Sequence, residues 1–272
     1  MTLTVTFDSN VLHRITQLAC NGKFQQGDDE SGTVIVTALN EGRIKGFFSQ
    51  TYQSLEGIMR RKRSDFLGRT ALVSSSFSPN KTTITLSIGI KHDRPPLPEE
   101  HNKALKAVLS LGCRALRGPA RFVDGLTVPD PDGEFYIIET NDQMIAHREK
   151  ANEVAAAIEA RGVGRAIALG IGNRYNASAG YTEENPRLWL AGLGNATTKR
   201  DIKEVAKAVA EWADGDTMAS HIGYGIDYFC TEDFARNSKG QSIFNAVNRE
   251  WLSQTYGVKF ATMKSLALLL SQ

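Results

Sequence analysis

Two aspartates stand where short strands should end. Residues 3–7 (LTVTF) alternate β-branched and apolar side chains as a strand does, and Asp8 follows directly. The segment YFCT (228–231) reads as a second short apolar strand, with Glu232 and Asp233 just past it. Ligands of an open parallel sheet bind outside the carboxyl ends of its strands, so Asp8 and Asp233 are placed to share a site. Carboxylates brought within a few ångströms of one another repel, and a divalent cation removes that penalty. Mg²⁺ or Mn²⁺ suits such a set, because both prefer oxygen ligands and leave positions for water and phosphate.

The elements that must hold these residues follow from periodicity. Val11, Leu12, Ile15, Leu18 and Ala19 recur at helical spacing after Asp8, and Asn21-Gly22 is a stop signal. Residues 33–41 read as a helix, 44–48 (IKGFF) as extended, and 50–64 as a helix with Tyr52, Leu55, Ile58 and Met59 on one side. Beyond about 68 the texture changes to a β-rich stretch (TTITLSIGI, 82–90), the break DRPPLP, a helical stretch near 100–117 and an expected strand at 135–139 (FYIIE). An amphipathic helix is expected at 143–161, and RAIALGI (165–171) reads as a buried strand of parallel type. Thr198 and Asp201 resemble a capping box opening a helix with Ile202, Val205, Ala206, Val209 and Trp212 at regular spacing. A second helix is expected at 214–224, then a helix at 243–256, an extended 258–260 and a closing helix at 263–271. Alternating strands and helices point to an α/β fold, a three-layer sandwich around a mostly parallel sheet.

Composition sets wide bounds. The 272 residues carry 32 Lys and Arg against 30 Asp and Glu, so a net charge of +2 gives no argument for nucleic acid and any polyanion must meet local patches. Cys20, Cys113 and Cys230 form no CxxC pair, which excludes a disulfide framework or zinc motif and suits a reducing cytosol. MTLTVTFDSNVL lacks the basic and apolar segments of a secretory leader, and no run of apolar residues reaches membrane-spanning length, so a cytoplasmic protein is expected.

The motifs, taken together, resemble PIN-domain nucleases. TVTFDSNVL is similar to their opening strand and D-x-N motif, and IKGFFSQTYQSLEGI to their second strand and the acidic helix behind it. ADGDTMASHIGYGIDYFCTEDF resembles the stretch in which an acidic residue begins a helix, a glycine ends it and a strand leads into Thr-x-Asp. GVKFATMKSLALLL resembles the closing strand and helix. The resemblance implies a nuclease core of residues 1–67 and 191–272, with 68–190 an insertion or elaboration. It implies metal-ligand and catalytic roles for Asp8, Glu56, Asp214 and Asp233, with Asn10 and Thr231 in support. A metal-activated water would attack phosphorus in line, and RNA is the expected substrate. Arg60, Arg61 and Arg63 are then candidates for phosphate contacts. A structure-specific DNA nuclease and an inactive RNA-binding scaffold are the alternatives. An inhibitor or antitoxin protein and a homodimer are the further partners the family suggests. Asp216 rivals Asp214; spacing to Gly225 favours Asp214.

Plainer roles compete with each assignment. Asp8 could cap the helix behind it, Glu56 could pair with Arg60 at i+4, and Asp214 could cap its own helix. The basic run 60–63 reads equally as a solvated face. His221 and Cys230 are expected to be packed, and GIGNRYNASAG does not complete a dinucleotide-binding GxGxxG.

Overall fold

The computed structural model describes residues 2–21, 29–70, 95–121, 126, 128–178, 188–234 and 242–272. The β-rich stretch expected at 82–90 lies outside them.

Five strands make one parallel sheet: β1 Leu3–Phe7, β2 Ile44–Ser49, β3 Arg114–Leu116, β4 Tyr228–Cys230 and β5 Phe260–Ala261, in the order β3-β2-β1-β4-β5. β1 is central, and Val5, Thr6 and Phe7 are buried, as a strand covered on both faces requires. Parallel neighbours need long crossovers, and helices supply them. These are α1 Ser9–Asn21, α2 Asp29–Asn40, α3 Thr51–Ser54, α4 Arg63–Thr70, α5 Glu99–Ser110, α6 Asn141–Ala160, α7 Arg165–Ser178, α8 Leu188–Gly194, α9 Lys199–Gly223, α10 Ala246–Tyr256 and α11 Met263–Leu270. The chain grows outward from β1 in one direction through β2 and β3, and in the other through β4 and β5. The point where the order reverses therefore falls between β1 and β4.

Two layers cover the sheet, so the α/β three-layer expectation holds at that level. On one face Val11 and Ile15 of α1, Ile35 of α2, Val108 of α5 and Leu266 of α11 join Val5, Phe7 and Phe48 in a single core. On the other, Val154 and Ile158 of α6, Met218 of α9 and Leu252 of α10 surround Phe229 of β4. A third core extends beyond the sheet, where α4, α7 and α8 close around Trp212 and the first half of α9. In that core Gly172 of α7 and Gly192 of α8 face each other so closely that a Cβ on either would collide with backbone of the other helix. The described part of residues 68–190 thus supplies an edge strand and two covering helices, α5 and α6, to the sheet, as well as part of the helical core.

Four expectations fail for physical reasons. RAIALGI is the start of helix α7, because a short buried apolar run has no periodicity that separates strand from helix. FYIIE forms only one bridge, Ala115 to Tyr136, and its Ile138 is 91% exposed; the strand lies instead at Arg114–Leu116, where a helix was expected to continue. The helices expected at 199–212 and 214–224 are one, α9, opened by the foreseen Thr198–Asp201 capping box. The helix expected over 50–64 breaks after Ser54 into a turn, then a 3-10 turn at Arg60–Lys62 before α4. Arg63 explains the break: its guanidinium donates to the carbonyls of Glu56 (3.3 Å) and Ile58 (3.1 Å), oxygens a continuous helix would have used internally. No described helix is long and apolar enough to cross a membrane.

Candidate functional site

Pairing of Phe7 with Cys230 puts the residues after β1 and β4 side by side, and the Asp8 amide donates to the Cys230 carbonyl at 2.9 Å. Asp8 is buried, and its Oδ2 accepts from the Thr231 hydroxyl (2.6 Å) and the Asn10 side-chain amide (2.5 Å). Its Oδ1 accepts from the Ser9 amide at 2.7 Å. Asn10 in turn takes the Glu232 amide (3.1 Å), and Thr231 takes the Asp233 amide (3.0 Å), so these two neutral residues lock the strand ends together. The Asp8 carbonyl also accepts from Val11 and Leu12, opening α1. Asp8 therefore caps a helix and faces the site at once, where the positive end of the helix dipole favours its charge.

Glu56 stands in the turn after α3, half-buried, and takes a hydrogen bond from the Ser9 side chain. Asp214 lies in the middle of α9, not at a helix start as the family pattern asks, and is partly exposed. Asp233 is exposed at the rim. The four are electrically one group. Burial raises the Asp8 carboxyl, with the charge of Asp233 adding to it against three hydrogen bonds. Burial and then the Asp8 charge push Glu56 up to about 7. Asp214 is raised well above the usual carboxylate range, first by burial and then by Asp8, Glu211, Glu56 and Asp233 together. They share a field without converging: among the described residues no three His, Cys, Asp or Glu side chains meet in a geometry that could hold an ion.

Glu211 is the member that sequence reasoning missed. It sits one turn before Asp214 on α9, pushed up to about 7 by burial and by Asp233, against hydrogen bonds from Ser242 and the Ile243 amide. Its Oε2 is buried with no hydrogen-bond partner among the described residues. The i,i+3 spacing to Asp214 was a usable signal, hidden because the two residues were assigned to separate helices. Tyr52 is a second such neighbour, stacked on His101 at 4.1 Å, its phenol raised by burial and by the Glu56 charge.

Two candidates, Arg63 and Asp216, are engaged elsewhere. Arg63 is buried and spends its donors on the carbonyls of Glu56, Ile58 and Ala206, so it fastens the Glu56 turn to α9 and cannot reach a phosphate. Asp216 points away from the acids into a bidentate pair with Arg121, at 2.5 and 3.1 Å, and accepts from the Trp212 indole at 2.9 Å. His221 and Cys230 are buried, as expected, and burial drives the imidazole down to about 3. Arg60 and Arg61 are exposed and line a groove of about 420 Å³ together with α9. No protein-family model, curated protein or solved structure matches the chain.

Proposed function

We propose that the chain is a PIN-like, Mg²⁺- or Mn²⁺-dependent ribonuclease in which Asp8, Glu56, Asp214 and Asp233 are the ion's donors and RNA phosphodiester bonds are hydrolysed. One observation carries the reading: four carboxylates from separate parts of the chain act on one another electrostatically, two of them, Asp8 and Asp233, just past the paired strands β1 and β4, where the strand order reverses. A fold gains nothing from such an arrangement unless a positive partner enters it, and clusters of this kind mark working sites.

The chemistry of the donors suits a hard divalent ion, which would have to draw them together, since among the described residues no three of them meet. Every candidate donor is a carboxylate oxygen, and Asp8 Oδ1 takes a single hydrogen bond, which leaves lone-pair capacity for an ion. When bound, the ion supplies charge stabilisation at phosphate oxygens and acidifies a water molecule. The chain's own residues do the positioning. Thr231 and Asn10 fix the Asp8 carboxylate from behind, Ser9 holds Glu56, and Arg63 anchors the turn that carries Glu56. Arg63 also offsets part of the local negative charge, since Glu56 and Asp214 are its nearest acids.

The test is cleavage of labelled RNA, with single-stranded and branched DNA beside it, by purified protein with Mg²⁺, Mn²⁺ or EDTA. Cation-dependent RNA cleavage that disappears in Asp8→Asn supports the reading. Cleavage surviving Asp8→Asn, or no cation binding by folded protein, ends it; preference for branched DNA transfers the site to the other substrate.

A further inference from the structure

The groove beside Arg60 and Arg61 is lined on its other wall by Lys199, Lys203 and Lys207 of α9, over a floor of Ile202, Ala206 and Ala210. All five cations are exposed, and no carboxylate is among the described residues that line it. Among the described residues none of the five is held in an ion pair. The nearby acids of α9 are engaged elsewhere: Asp201 in the helix cap, and Glu204 with Arg174 and Tyr175. In a chain whose net charge is only +2, five unpaired cations about one groove form a local concentration of positive charge.

The groove also has a direction. Lys203, Lys207, Glu211 and Asp214 follow at intervals of four, four and three, so one stripe of α9 passes from cations to acids within three turns. From Lys199 to Asp214 the helix rises about 22 Å, roughly six nucleotides at the ~3.4 Å rise of a stacked strand.

We propose that this groove is the track of a single nucleic-acid strand, which Arg60, Arg61, Lys199, Lys203 and Lys207 hold by its phosphates while α9 leads it to the acids. The assignment rests on the nuclease reading, because a cationic groove alone would accept any polyanion and only the stripe of α9 that leads from it to Glu211 and Asp214 selects a phosphodiester chain. Contacts of this sort position a strand without reading its bases. RNA and single-stranded DNA therefore bind the groove alike.

The experiment measures binding without chemistry. Fluorescein-labelled oligouridylates of graded length are titrated with wild-type protein in EDTA at several salt concentrations. Controls are the triple variant Lys199→Ala/Lys203→Ala/Lys207→Ala and Lys45→Glu. Lys45 is exposed near the start of β2, at the amino ends of the strands and so opposite the acids, and Lys45→Glu tests the effect of net charge. Each single-strand phosphate contact contributes about 0.7 to the slope of log affinity against log salt, which is roughly fivefold at 0.1 M. The triple variant should lose about two units of slope and on the order of a hundredfold in affinity, and affinity should stop rising near six nucleotides. Unchanged affinity in the triple variant overturns the proposal, as does an equal loss in Lys45→Glu or equal displacement by polyglutamate of matched charge. Binding that behaves as expected in a protein that never cleaves keeps the track and rejects the nuclease. Cleavage by a triple variant of undiminished affinity does the reverse.

Discussion

Asp214 and Asp216 lie two residues apart on α9, and their side chains leave the helix on different faces into opposite circumstances. Asp216 is buried against a cation: Arg121 meets both of its oxygens, the Trp212 indole donates to one, and Arg121 is held in turn by Glu159 at 3.0 Å. Asp214 is less enclosed by solvent exposure, yet its neighbours Asp8, Glu211, Glu56 and Asp233 are all acids. The first region is a closed network in which each charge finds its opposite. In the second the neighbours of Asp214 raise its carboxyl, and Arg63 is a buried cation that offsets part of that charge. Burial therefore does not distinguish the two carboxylates here; the sign of their neighbours does.

Swapping each acid for its amide should separate the two regions most widely in activity. We predict that Asp214→Asn lowers cleavage by on the order of 10²–10³-fold, as the loss of one charge-stabilising group does elsewhere, while Asp216→Asn keeps the rate within about tenfold. Steady-state assays on folded protein measure both, and equal losses would erase the distinction. Stability should move with opposite signs. Asp216→Asn leaves Arg121 buried with only Glu159 and should cost about 3 kcal/mol in urea unfolding. Asp214→Asn removes repulsion and should stabilise the cation-free protein by about 1 kcal/mol near neutral pH. A destabilised Asp214→Asn in EDTA would mean that the cluster is a structural network after all.

The difference between the regions also marks what a linear sequence can carry. Asp8 and Asp233 were legible because a strand-end carboxylate is a local pattern, and parallel pairing of β1 with β4 then brings the strand ends together. Asn10 and Thr231 were singled out only through the family resemblance, and both donate to the Asp8 carboxylate. Asp214 was preferred to Asp216 on spacing to Gly225; what separates the two in the fold is Arg121, 95 residues from Asp216 and invisible to any periodicity. Glu56 was placed in a helix because its break depends on Arg63, which is near in sequence but is held in place by the Ala206 carbonyl, 143 residues away. Arg63 was misjudged with it: an arginine in a basic run reads as exposed, while this one is buried and donates to three carbonyls. The sheet order could not be read at all, since β3 is only three residues long and the FYIIE segment mimics a strand better.

Acidity should sharpen the comparison by a smaller amount. Glu56 and Glu211 titrate near 7 in the fold against an ordinary 4.5, so their neutral forms favour folding. Their contribution is complete below about 4.5 and is lost as pH rises through about 7, at up to ~1.4 kcal/mol per group per unit, less because the groups are coupled. His221 runs the other way: neutral in the fold down to about 3 against an ordinary 6.5, it destabilises as pH falls from 6.5 toward 3. The two slopes oppose between about 4.5 and 6.5, and His221→Gln should uncover the acidic one. In EDTA, the melting temperature of His221→Gln should therefore fall from about pH 5 to about pH 7.5, and excess Mn²⁺ should abolish that fall, because the ion favours the ionised carboxylates. A flat profile in EDTA would remove the repulsion on which the contrast with Asp216 depends.

The smallest effect belongs to Glu211, which stands between the acidic hollow and the cationic end of α9. Its carboxyl takes hydrogen bonds from the Ser242 side chain and the Ile243 amide, while Oε2 is buried with no partner among the described residues. If the charge on Glu211 serves the hollow, Glu211→Gln should relieve repulsion on Asp214 and Asp233, gain about 1 kcal/mol in EDTA near pH 8, and weaken cation binding by less than about tenfold. The double variant Glu211→Gln/Asp214→Asn should then gain less than the sum of its parts, because each change removes the same repulsion. Glu211→Gln/Asp216→Asn should be additive, since Asp216 answers to Arg121 and not to this cluster. Additivity in the first pair and coupling in the second would place Glu211 with the paired network and redraw the boundary between the two regions of α9.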